Sequence, residues 1–313
     1  MKTWDIQKVL NWTTSFFKSK NILQPKLSAE LLLASVLKLS RMQLYLDYNY
    51  VLNSNQLKKY KEYIKKRLEN IPVQYILNEA YFRKIKLYVD GNVLIPRPET
   101  ELVVEKGFEC IKEILGSKKK INILEIGTGS GAIAISIASE IYNYDISGIS
   151  DSSWYLIATD NNKAALEIAK KNAERNLSSD KLSNIDFIDC DIFPEENSDL
   201  LNKFEGKIDL IISNPPYISQ EDYSNLPIEV KKFEPKSALI AGKTGLEVYE
   251  KIFSKVKPLV SSDMCYMVFE TDPRISSPLE KIAKEKLRPK QVEISKDYNL
   301  RDRIITIRMQ GKN

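Results

Sequence analysis

The chain has 313 residues, with 47 Lys or Arg against 42 Asp or Glu, and it contains no histidine. Without an imidazole it cannot build a Ser-His-Asp or Cys-His catalytic unit, an H-E-x-x-H zinc helix or a histidine acid or base. The net charge of +5 is mildly basic, which permits a nucleic-acid partner without arguing for one.

The three cysteines and the apolar runs limit the location of the protein. Cys110, Cys190 and Cys265 are odd in number and far apart, so they predict neither a disulfide framework nor a metal site. We therefore expect a cytoplasmic protein without a bound metal. The longest apolar runs, such as residues 31–37, fall far short of the ~20 residues that span a membrane, and no apolar signal core follows Met1.

Residues 1–80 are predicted to form a helical domain. Apolar residues recur at helical spacing between 28 and 37, and Ser28 is the predicted N-cap. A second helix is predicted from Asn55 onward. One face of it carries five lysines, which we interpret as a solvated surface, with a nucleic-acid-binding face as the alternative. These lysines are Lys58, Lys59, Lys61, Lys65 and Lys66.

Residues 81–96 are predicted to form a β-hairpin that links two domains. Apolar residues alternate on both sides of Asp90-Gly91, which has the composition of a tight turn. The alternating residues are Ile85, Leu87, Val89, Val93 and Ile95.

Residues 97–313 are predicted to form an α/β domain, because strand-like and helix-like segments alternate along them. Such alternation indicates a mostly parallel sheet covered by helices. A polar surface insertion is predicted at 142–153. The predicted strands are 122–126, 154–159, 185–188, 210–213, 265–269, 292–294 and 304–308.

A glycine-rich loop follows the first strand of this domain. The sequence Gly127-Thr128-Gly129-Ser130-Gly131 lies between an apolar strand and an apolar helix, where glycines allow a ligand to approach the backbone and the helix N–H groups point at the loop. This predicts a nucleotide-type cofactor site. With Ala132 the loop also fits the dinucleotide pattern, so it does not by itself separate NAD from S-adenosylmethionine.

Acidic residues follow the next two strands. Asp160 stands where a carboxylate can accept hydrogen bonds from both ribose hydroxyls of an adenosine, although it could instead cap the helix that begins near Lys163. Asp191 could meet an adenine amino group and Ile192 could pack on the ring, with core packing as the alternative for Ile192.

The segment Asn214-Pro215-Pro216-Tyr217 follows the fourth strand. Two prolines remove N–H donors and stiffen the loop, so its carbonyl oxygens and the Asn214 side chain form an acceptor cluster suited to a planar NH2 group, which Tyr217 could cover. An amide nitrogen is a poor nucleophile because its lone pair is delocalised. Accepting both of its protons and aligning it with an electrophilic methyl promotes attack without a strong base.

The two motifs together resemble those of S-adenosylmethionine-dependent N-methyltransferases. Further segments resemble the protein-(glutamine-N5) methyltransferases of the PrmC/HemK family, and the resemblance runs nearly from end to end. These segments are 72–76 (PVQYI), 94–101 (LIPRPETE), 233–239 (FEPKSAL), 245–249 (GLEVY) and 297–303 (DYNLRDR).

This resemblance implies a Rossmann-like methyltransferase sheet of seven mostly parallel strands and an N-terminal helical domain that docks the substrate protein. It also implies that the cofactor is S-adenosylmethionine and that the substrate is the glutamine of the Gly-Gly-Gln loop in peptide chain release factors. A monomer with no membrane partner and no nucleic-acid substrate is expected.

The resemblance also assigns roles to individual residues. The cofactor would lie against Gly127, Thr128, Gly129, Ser130, Gly131, Asp160, Ile192 and Asn214. Asn214 and the Pro215 carbonyl would take the glutamine NH2, with Pro216 and Tyr217 shaping the slot. Asn78 and Thr271-Asp272 stand where glycines are usual in the family, which leaves substrate docking open more than the chemistry.

Three other functions fit parts of the sequence. A nucleic-acid N-methyltransferase could place a flipped base in the slot formed by residues 214–217, but no DNA-reading motif is recognisable. An NAD-dependent oxidoreductase would account for the glycine loop and Asp160 and would leave residues 214–217 unexplained. A release-factor-binding protein without turnover would not need both motifs intact.

Overall fold

The computed structural model describes residues 3–143, 153–193, 207–261 and 264–309. The chain divides into two compact units. Unit 1 comprises Met1–Glu79 and Pro227–Phe233, and unit 2 comprises Ala80–Leu226 and Glu234–Asn313. Most of the predicted insertion at 142–153 lies outside the described residues. In the part of the chain that the structure describes, no helix is long and apolar enough to cross a membrane.

Unit 1 is helical, as predicted, and its helices enclose an apolar core of their own. Two of the helices begin with a capping box. Ser40 caps α3 and Asn53 caps α4, each with a glutamine three residues later. The helices are α1 (Ile6–Ser19), α2 (Pro25–Leu37), α3 (Arg41–Leu46), α4 (Ser54–Leu68) and α5 (Val73–Leu77), with α11 (Ile228–Phe233) from the later segment.

The predicted N-cap of α2 is wrong. The N-cap is Gln24, four residues earlier, and the helix begins at Pro25, whose fixed φ suits the first helical position. Ser28 therefore lies inside the helix, where its hydroxyl donates to the Leu23 carbonyl and accepts from Arg67. The five lysines of α4 are all exposed, as predicted. Asn78 adopts φ 53° at the end of α5, a left-handed conformation that asparagine tolerates, so glycine is not required there.

The β-hairpin lies earlier in the chain than predicted. Its strands are β1 (Ala80–Phe82) and β2 (Ile85–Leu87), and the turn falls at Arg83-Lys84 rather than at Asp90-Gly91. Asp90 does form a turn, in which its side chain accepts from the Asn92 N–H, but no strand follows it. The apolar residues there are nevertheless buried, which explains the alternation in the sequence.

The centre of unit 2 is a seven-stranded, mostly parallel sheet, as predicted. Its strand order is β10-β11-β9-β6-β3-β4-β5, with β11 antiparallel to both neighbours. The strands are β3 (Lys120–Ile126), β4 (Ser153–Asp160), β5 (Ile185–Asp189), β6 (Leu210–Ser213), β9 (Tyr266–Glu270), β10 (Gln291–Lys296) and β11 (Asp302–Arg308). A small second sheet pairs β7 (Ile218–Ser219) with β8 (Ile240–Gly242).

The strands of the central sheet are buried almost throughout because helices cover the sheet. The helices of unit 2 are α6 (Thr100–Leu115), α7 (Ala132–Asn143), α8 (Lys163–Asn176), α9 (Ser179–Leu182), α10 (Gln220–Tyr223), α12 (Glu247–Lys255) and α13 (Ser276–Leu287), and a 3-10 turn spans Lys236–Ala238.

The register of the sheet brings the predicted site residues to one edge. Ile126 at the end of β3 pairs with Thr159 of β4 and with Ser213 of β6. Gly127, Asp160 and Asn214 come directly after these three residues. Ligands bind at the carboxyl edge of such sheets, near the point where the strand order reverses, and β3 with its neighbours β4 and β6 forms that point here.

Candidate active site

A cavity of about 340 Å³ opens at this carboxyl edge of the sheet in unit 2. It is in the size range of small-molecule sites. Most of the predicted site residues line it, and Gly131 and Tyr217 do not. The predicted residues that line the cavity are Gly127, Thr128, Gly129, Ser130, Asp160, Ile192, Asn214, Pro215 and Pro216.

The glycine loop turns sharply because its three glycines adopt positive φ. Gly127 and Gly129 have φ of 71° and 54°, and a Cβ at either would meet nothing, so the space beside the loop is open. Gly131 differs from them. A Cβ there would lie 3.3 Å from Ala169, so this glycine permits α8 to pack against the start of α7. Its contribution to the cavity is therefore indirect.

Asp160 braces the glycine loop from the neighbouring strand. Its Oδ2 accepts from the Gly129 N–H at 2.8 Å and its Oδ1 accepts from the Asn162 N–H at 2.9 Å. The helix cap is Asn162, so the alternative role of Asp160 as an N-cap is wrong. Burial raises the pKa of Asp160, opposed by its backbone hydrogen bonds. The carboxylate thus lines the cavity beside the loop.

The segment after β5 closes the far side of the cavity. Ile192 is buried and lines it. Asp191 also lines it, but its carboxylate forms an ion pair with Lys251 of α12. That pairing competes with the predicted contact between Asp191 and an adenine amino group.

Residues 214–217 form the wall nearest β6. Asn214 directs its amide nitrogen at the hydroxyl of Thr100, with an Nδ2–Oγ1 distance of 3.0 Å. Pro215 and Pro216 line the cavity and bring no N–H donors to it. Tyr217 does not cover the slot in the way the sequence predicted. Its hydroxyl instead donates to Glu270 Oε1 at 3.0 Å.

Glu270, the last residue of β9, accepts hydrogen bonds from both Thr100 and Tyr217. Its Oε2 accepts from the Thr100 hydroxyl at 2.6 Å, while its Oε1 accepts from Tyr217. The Tyr249 hydroxyl donates to its backbone carbonyl. Burial raises the pKa of Glu270 to about 7, and the two hydroxyl hydrogen bonds oppose that rise.

Two segments that carry the family resemblance also meet. Arg97 of the 94–101 segment forms an ion pair of 2.6 Å with the buried carboxylate of Glu234 in the 233–239 segment. Thr100 opens α6 three residues after Arg97, and Pro235 lines the cavity directly after Glu234. The pair therefore ties together two parts of the cavity wall.

Glu125 is an acidic residue inside the apolar strand β3, and it lines the cavity. Its Oε2 accepts from the Thr128 hydroxyl at 2.7 Å, whereas Oε1 makes no hydrogen bond among the described residues. Burial raises the pKa of this carboxyl to about 8, opposed by the hydrogen bond from Thr128. A cationic ligand beside this carboxyl would favour its ionised form, and a ligand with a hydrogen-bonding group would give Oε1 a partner.

The charges of the cavity fit S-adenosylmethionine better than a dinucleotide. Asp160, Asp191 and Glu125, which is largely protonated at neutral pH, supply three carboxyls. Among the described residues that line the cavity, Lys251 is the one cation, and it is paired with Asp191. A sulfonium, an ammonium and two ribose hydroxyls suit such a surface, whereas the described lining residues offer no unpaired cation to the pyrophosphate of NAD. The residues present therefore fit the methyl donor.

Two functional residues outside the motifs are marked only weakly in the sequence. Glu125 and Glu270 are single acids that end or interrupt apolar strands, a place where a buried charge needs a reason. Thr100 lies within the 94–101 segment, but nothing in that segment indicates that its hydroxyl contacts Asn214.

Comparison with known proteins agrees with the geometry. Residues 8–77 match the PrmC N-terminal domain and residues 117–302 match a methyltransferase domain. A release factor glutamine methyltransferase of Chlorobaculum tepidum is 39% identical over 252 residues, covering 80% of each chain. Another, of Rhodopirellula baltica, is 33% identical over 305 residues, covering 97% of this chain and 96% of that one.

Among solved structures, the hMettl16 catalytic domain in complex with a MAT2A 3′UTR hairpin has a TM-score of 0.50 and 17% identity. It covers 72% of this chain and 76% of that one. At this identity the likeness concerns the fold of the sheet and its helices.

Proposed function

The chain belongs to the release factor glutamine methyltransferase family, and from that premise we propose that it methylates the side-chain nitrogen of the glutamine in the Gly-Gly-Gln motif of peptide chain release factors. The methyl donor is S-adenosylmethionine, in keeping with the methyltransferase domain and with the charges of the cavity.

One observation carries the proposal at the level of chemistry. Asn214 lines the cavity and its NH2 group donates to Thr100, an orientation that leaves the side-chain carbonyl oxygen as an acceptor for a ligand. The carbonyl oxygens of the proline segment add acceptors and no donors. An acceptor-only slot of this kind is complementary to the two N–H bonds of a primary amide.

Such a slot promotes methyl transfer by orientation. Hydrogen bonds from both amide protons to Asn214 and the Pro215 carbonyl hold the nitrogen in line and stabilise the positive charge that develops on it during attack. The cofactor, when bound, supplies an electrophilic methyl on a good leaving group. The N-protonated amide that results is a strong acid and loses its proton without a dedicated base.

The remaining walls of the cavity would hold the cofactor. Residues 127–130 and Glu125 would bind its methionine end, Asp160 its ribose and Ile192 its adenine side. Asp160 has both oxygens on backbone N–H groups, yet each carboxylate oxygen has a second lone pair for a ribose hydroxyl. We propose these roles because the residues line the cavity.

The same proposal includes the organisation of the protein. The helical region 1–80 would dock the release factor, residues 81–96 would link it to the catalytic region 97–313, and the protein would act as a cytoplasmic monomer. The three cysteines are free, which supports a reducing compartment. Methylation of nucleic acid is not favoured, because the N-terminal match and the relatives belong to release factor methyltransferases.

The test is methyl transfer from labelled S-adenosylmethionine to a release factor, to DNA and to ribosomal RNA, with the methyl mapped by mass spectrometry. We expect label on the Gly-Gly-Gln glutamine alone. Label on nucleic acid, with none on that glutamine, would contradict the proposal.

A variant pair tests the role of the slot. Asn214→Ala should lower turnover by a hundredfold or more, in the range typical of a lost transition-state hydrogen bond, and leave cofactor affinity nearly unchanged. Asn176→Ala, on α8 and outside the cavity lining, is the matched control and should retain turnover. Undiminished turnover of Asn214→Ala would remove this residue from its proposed role.

A further inference from the structure

The orientation of the Asn214 amide depends on a chain of two hydrogen bonds that ends at a buried carboxyl. Asn214 Nδ2 donates to Thr100 Oγ1 at 3.0 Å, and Thr100 Oγ1 donates to Glu270 Oε2 at 2.6 Å. Thr100 and Glu270 are both nearly fully buried. Glu270 does not line the cavity, so it acts on the slot only through its neighbours.

The second oxygen of Glu270 holds the other end of the same loop. Tyr217, three residues after Asn214, donates its hydroxyl to Oε1. The Glu270 carboxyl therefore holds Tyr217 directly and Asn214 through Thr100, which are the last and the first side chain of residues 214–217. Among the described residues, the Thr100 and Tyr217 hydroxyls donate to the Glu270 carboxyl, while the nearby cation Arg303 directs its Nε to Asp297.

The charge state of Glu270 sets the direction of every bond in the chain. An ionised carboxylate can only accept hydrogen bonds, so the Thr100 hydroxyl must give its proton to Glu270. That hydroxyl then has only lone pairs left for Asn214, and the amide must turn its NH2 end toward Thr100. Its carbonyl oxygen is consequently the end available to the substrate nitrogen.

We propose that Glu270 is a positioning residue that, as a carboxylate, fixes the amide of Asn214 through Thr100 with its acceptor end toward the substrate. The inference rests on the proposed function, and it adds two residues, Glu270 and Thr100, to the determinants of the reaction. Without this constraint the Asn214 amide can flip and present a donor to the N–H bonds of the substrate, which weakens the slot.

Protonation of Glu270 would release the constraint. A protonated carboxyl is itself a donor, so the Thr100 hydroxyl becomes free to donate to Asn214 and to favour the flipped amide. Because burial raises the pKa of Glu270 to about 7, this change falls near neutral pH. The titratable groups around the carboxyl are Glu99, which raises its pKa, Arg303, which lowers it, and Tyr217, Tyr249 and Asp272.

The sign of the pH dependence follows. Turnover requires the ionised carboxylate, so kcat should fall as the pH decreases through about 7. The dependence acts through the Thr100 hydroxyl. It should therefore disappear in Thr100→Val, which keeps the shape of the side chain and removes the relay.

The main experiment measures kcat and the KM for S-adenosylmethionine with a release factor as acceptor. We expect Glu270→Gln and Thr100→Val each to lower kcat on the order of tenfold to a hundredfold, with the KM for the cofactor within twofold. The double variant should lose no more than the worse single variant, because both remove the same constraint. Thr100→Ser, which keeps the hydroxyl, should restore most of the activity.

Asp209→Asn provides the matched control for burying an amide in place of a carboxyl. Asp209 is also buried, but it precedes β6 at the opposite end of the strand from Asn214 and pairs with Lys118. Thermal unfolding of all variants separates loss of folding from loss of orientation. Wild-type kcat in Glu270→Gln, or multiplied effects in the double variant, would overturn the inference.

A measurement without an acceptor keeps the two proposals apart. The side-chain amide signal of Asn214 in a ¹H–¹⁵N spectrum should shift with a midpoint near pH 7 in the wild type and should not titrate in Thr100→Val. If the wild type fails to methylate the release factor, the proposed function is wrong, and this titration still decides the orientation of Asn214. A signal that is unchanged across the range would overturn the inference.

Discussion

At the scale of single residues, the carboxyl of Glu125 links the stability of the protein to pH. Burial raises its pKa from 4.5 to about 8 in the folded protein, while in the unfolded chain the carboxyl is exposed to water. Between these two values the folded protein holds a proton that the unfolded chain has lost. The contribution of Glu125 to stability therefore falls as the pH rises.

Glu125→Gln isolates this effect because glutamine does not ionise. We expect similar stabilities for the variant and the wild type near pH 5, and an advantage for the variant that grows to on the order of 4 kcal/mol by about pH 9. Urea unfolding at a series of pH values measures the difference. Glu167→Gln, on the exposed face of α8, is the control. Parallel curves for wild type and Glu125→Gln would refute the prediction.

Asp160 offers a test of ribose recognition. Asp160→Asn should weaken the binding of S-adenosylhomocysteine by about tenfold, the effect of losing a charge-assisted hydrogen bond. The same change also affects the bond to Gly129, so a deoxyribose analogue of the ligand is needed. It should bind the wild type more weakly than the parent ligand, and this difference should vanish in Asp160→Asn.

Calorimetric titration gives these affinities, with Asp189→Asn as the matched control. Asp189 pairs with Asp160 across β4 and β5, but it is exposed and does not line the cavity. An equal penalty for the deoxy analogue in wild type and Asp160→Asn would assign Asp160 to the loop alone.

Single residues also show what local sequence can and cannot predict. Gly127, Asp160 and Asn214 could be located because each follows a recognisable buried strand, and parallel strands bring their ends together. Tyr217 was predicted to cover the slot because an aromatic ring suits a planar NH2 group. Its hydroxyl instead bonds to Glu270, which lies 53 residues away and is joined to it by no local pattern. Hydrogen bonds over such separations depend on the packing of several elements at once.

At the scale of elements, the turn before α12 is held against residues 214–217. Gly245 has φ +88°, and a Cβ on it would lie 2.5 Å from the Tyr217 carbonyl oxygen. Gly245→Ala therefore combines a strained backbone with a collision against main chain, which cannot rotate away. We expect turnover to fall at least tenfold and the unfolding temperature to drop by several degrees.

The control for this change is Gly116→Ala. Gly116 follows the last residue of α6 with φ −64°, and a Cβ on it would lie 3.3 Å from the Glu113 carbonyl oxygen of the same helix. An alanine there should leave turnover unchanged and alter stability little. Steady-state assays and thermal unfolding of both variants check the prediction, and wild-type behaviour of Gly245→Ala would show that the loop can move.

Element boundaries were predictable where the signal was periodicity and less so where it was a single residue. The strand Leu210–Ser213 was located without error because an apolar run ends at Asn214-Pro215. The hairpin turn was misplaced because Asp90-Gly91 has the composition of a turn, whereas the actual turn uses Arg83 with φ 50°. Arg83 is held there by tertiary contacts, including bonds to Glu101 and Glu140, which the local sequence does not contain.

At the scale of the whole molecule, a late segment of the chain belongs to unit 1, although most residues of unit 2 precede it in the sequence. Residues 227–233, which follow the slot by ten residues, belong to unit 1. Within that unit Glu229 of α11 pairs at 2.6 Å with Arg67 of α4, whose guanidinium is almost completely buried. Arg67 also donates to Ser28 and to the Leu23 and Ile71 carbonyls.

This ion pair predicts a local loss of stability that can be mapped. Glu229→Gln leaves the Arg67 charge buried without its counterion, which costs about 3 kcal/mol when a buried pair is broken. Amide hydrogen exchange should accelerate in α2 and α4 of unit 1, while strand β3 in unit 2 keeps its protection. Glu221→Gln, an exposed acid in the preceding α10, is the control.

The test depends on comparing amide hydrogen exchange in unit 1 with that in unit 2. A merely exposed pair would contribute little, so unchanged exchange in α2 and α4 would mean that solvent compensates Arg67. Equal acceleration in both units would mean that the chain unfolds as one cooperative body. Selective acceleration in unit 1 would establish that a seven-residue segment, inserted far along the chain, completes the stability of the N-terminal helices.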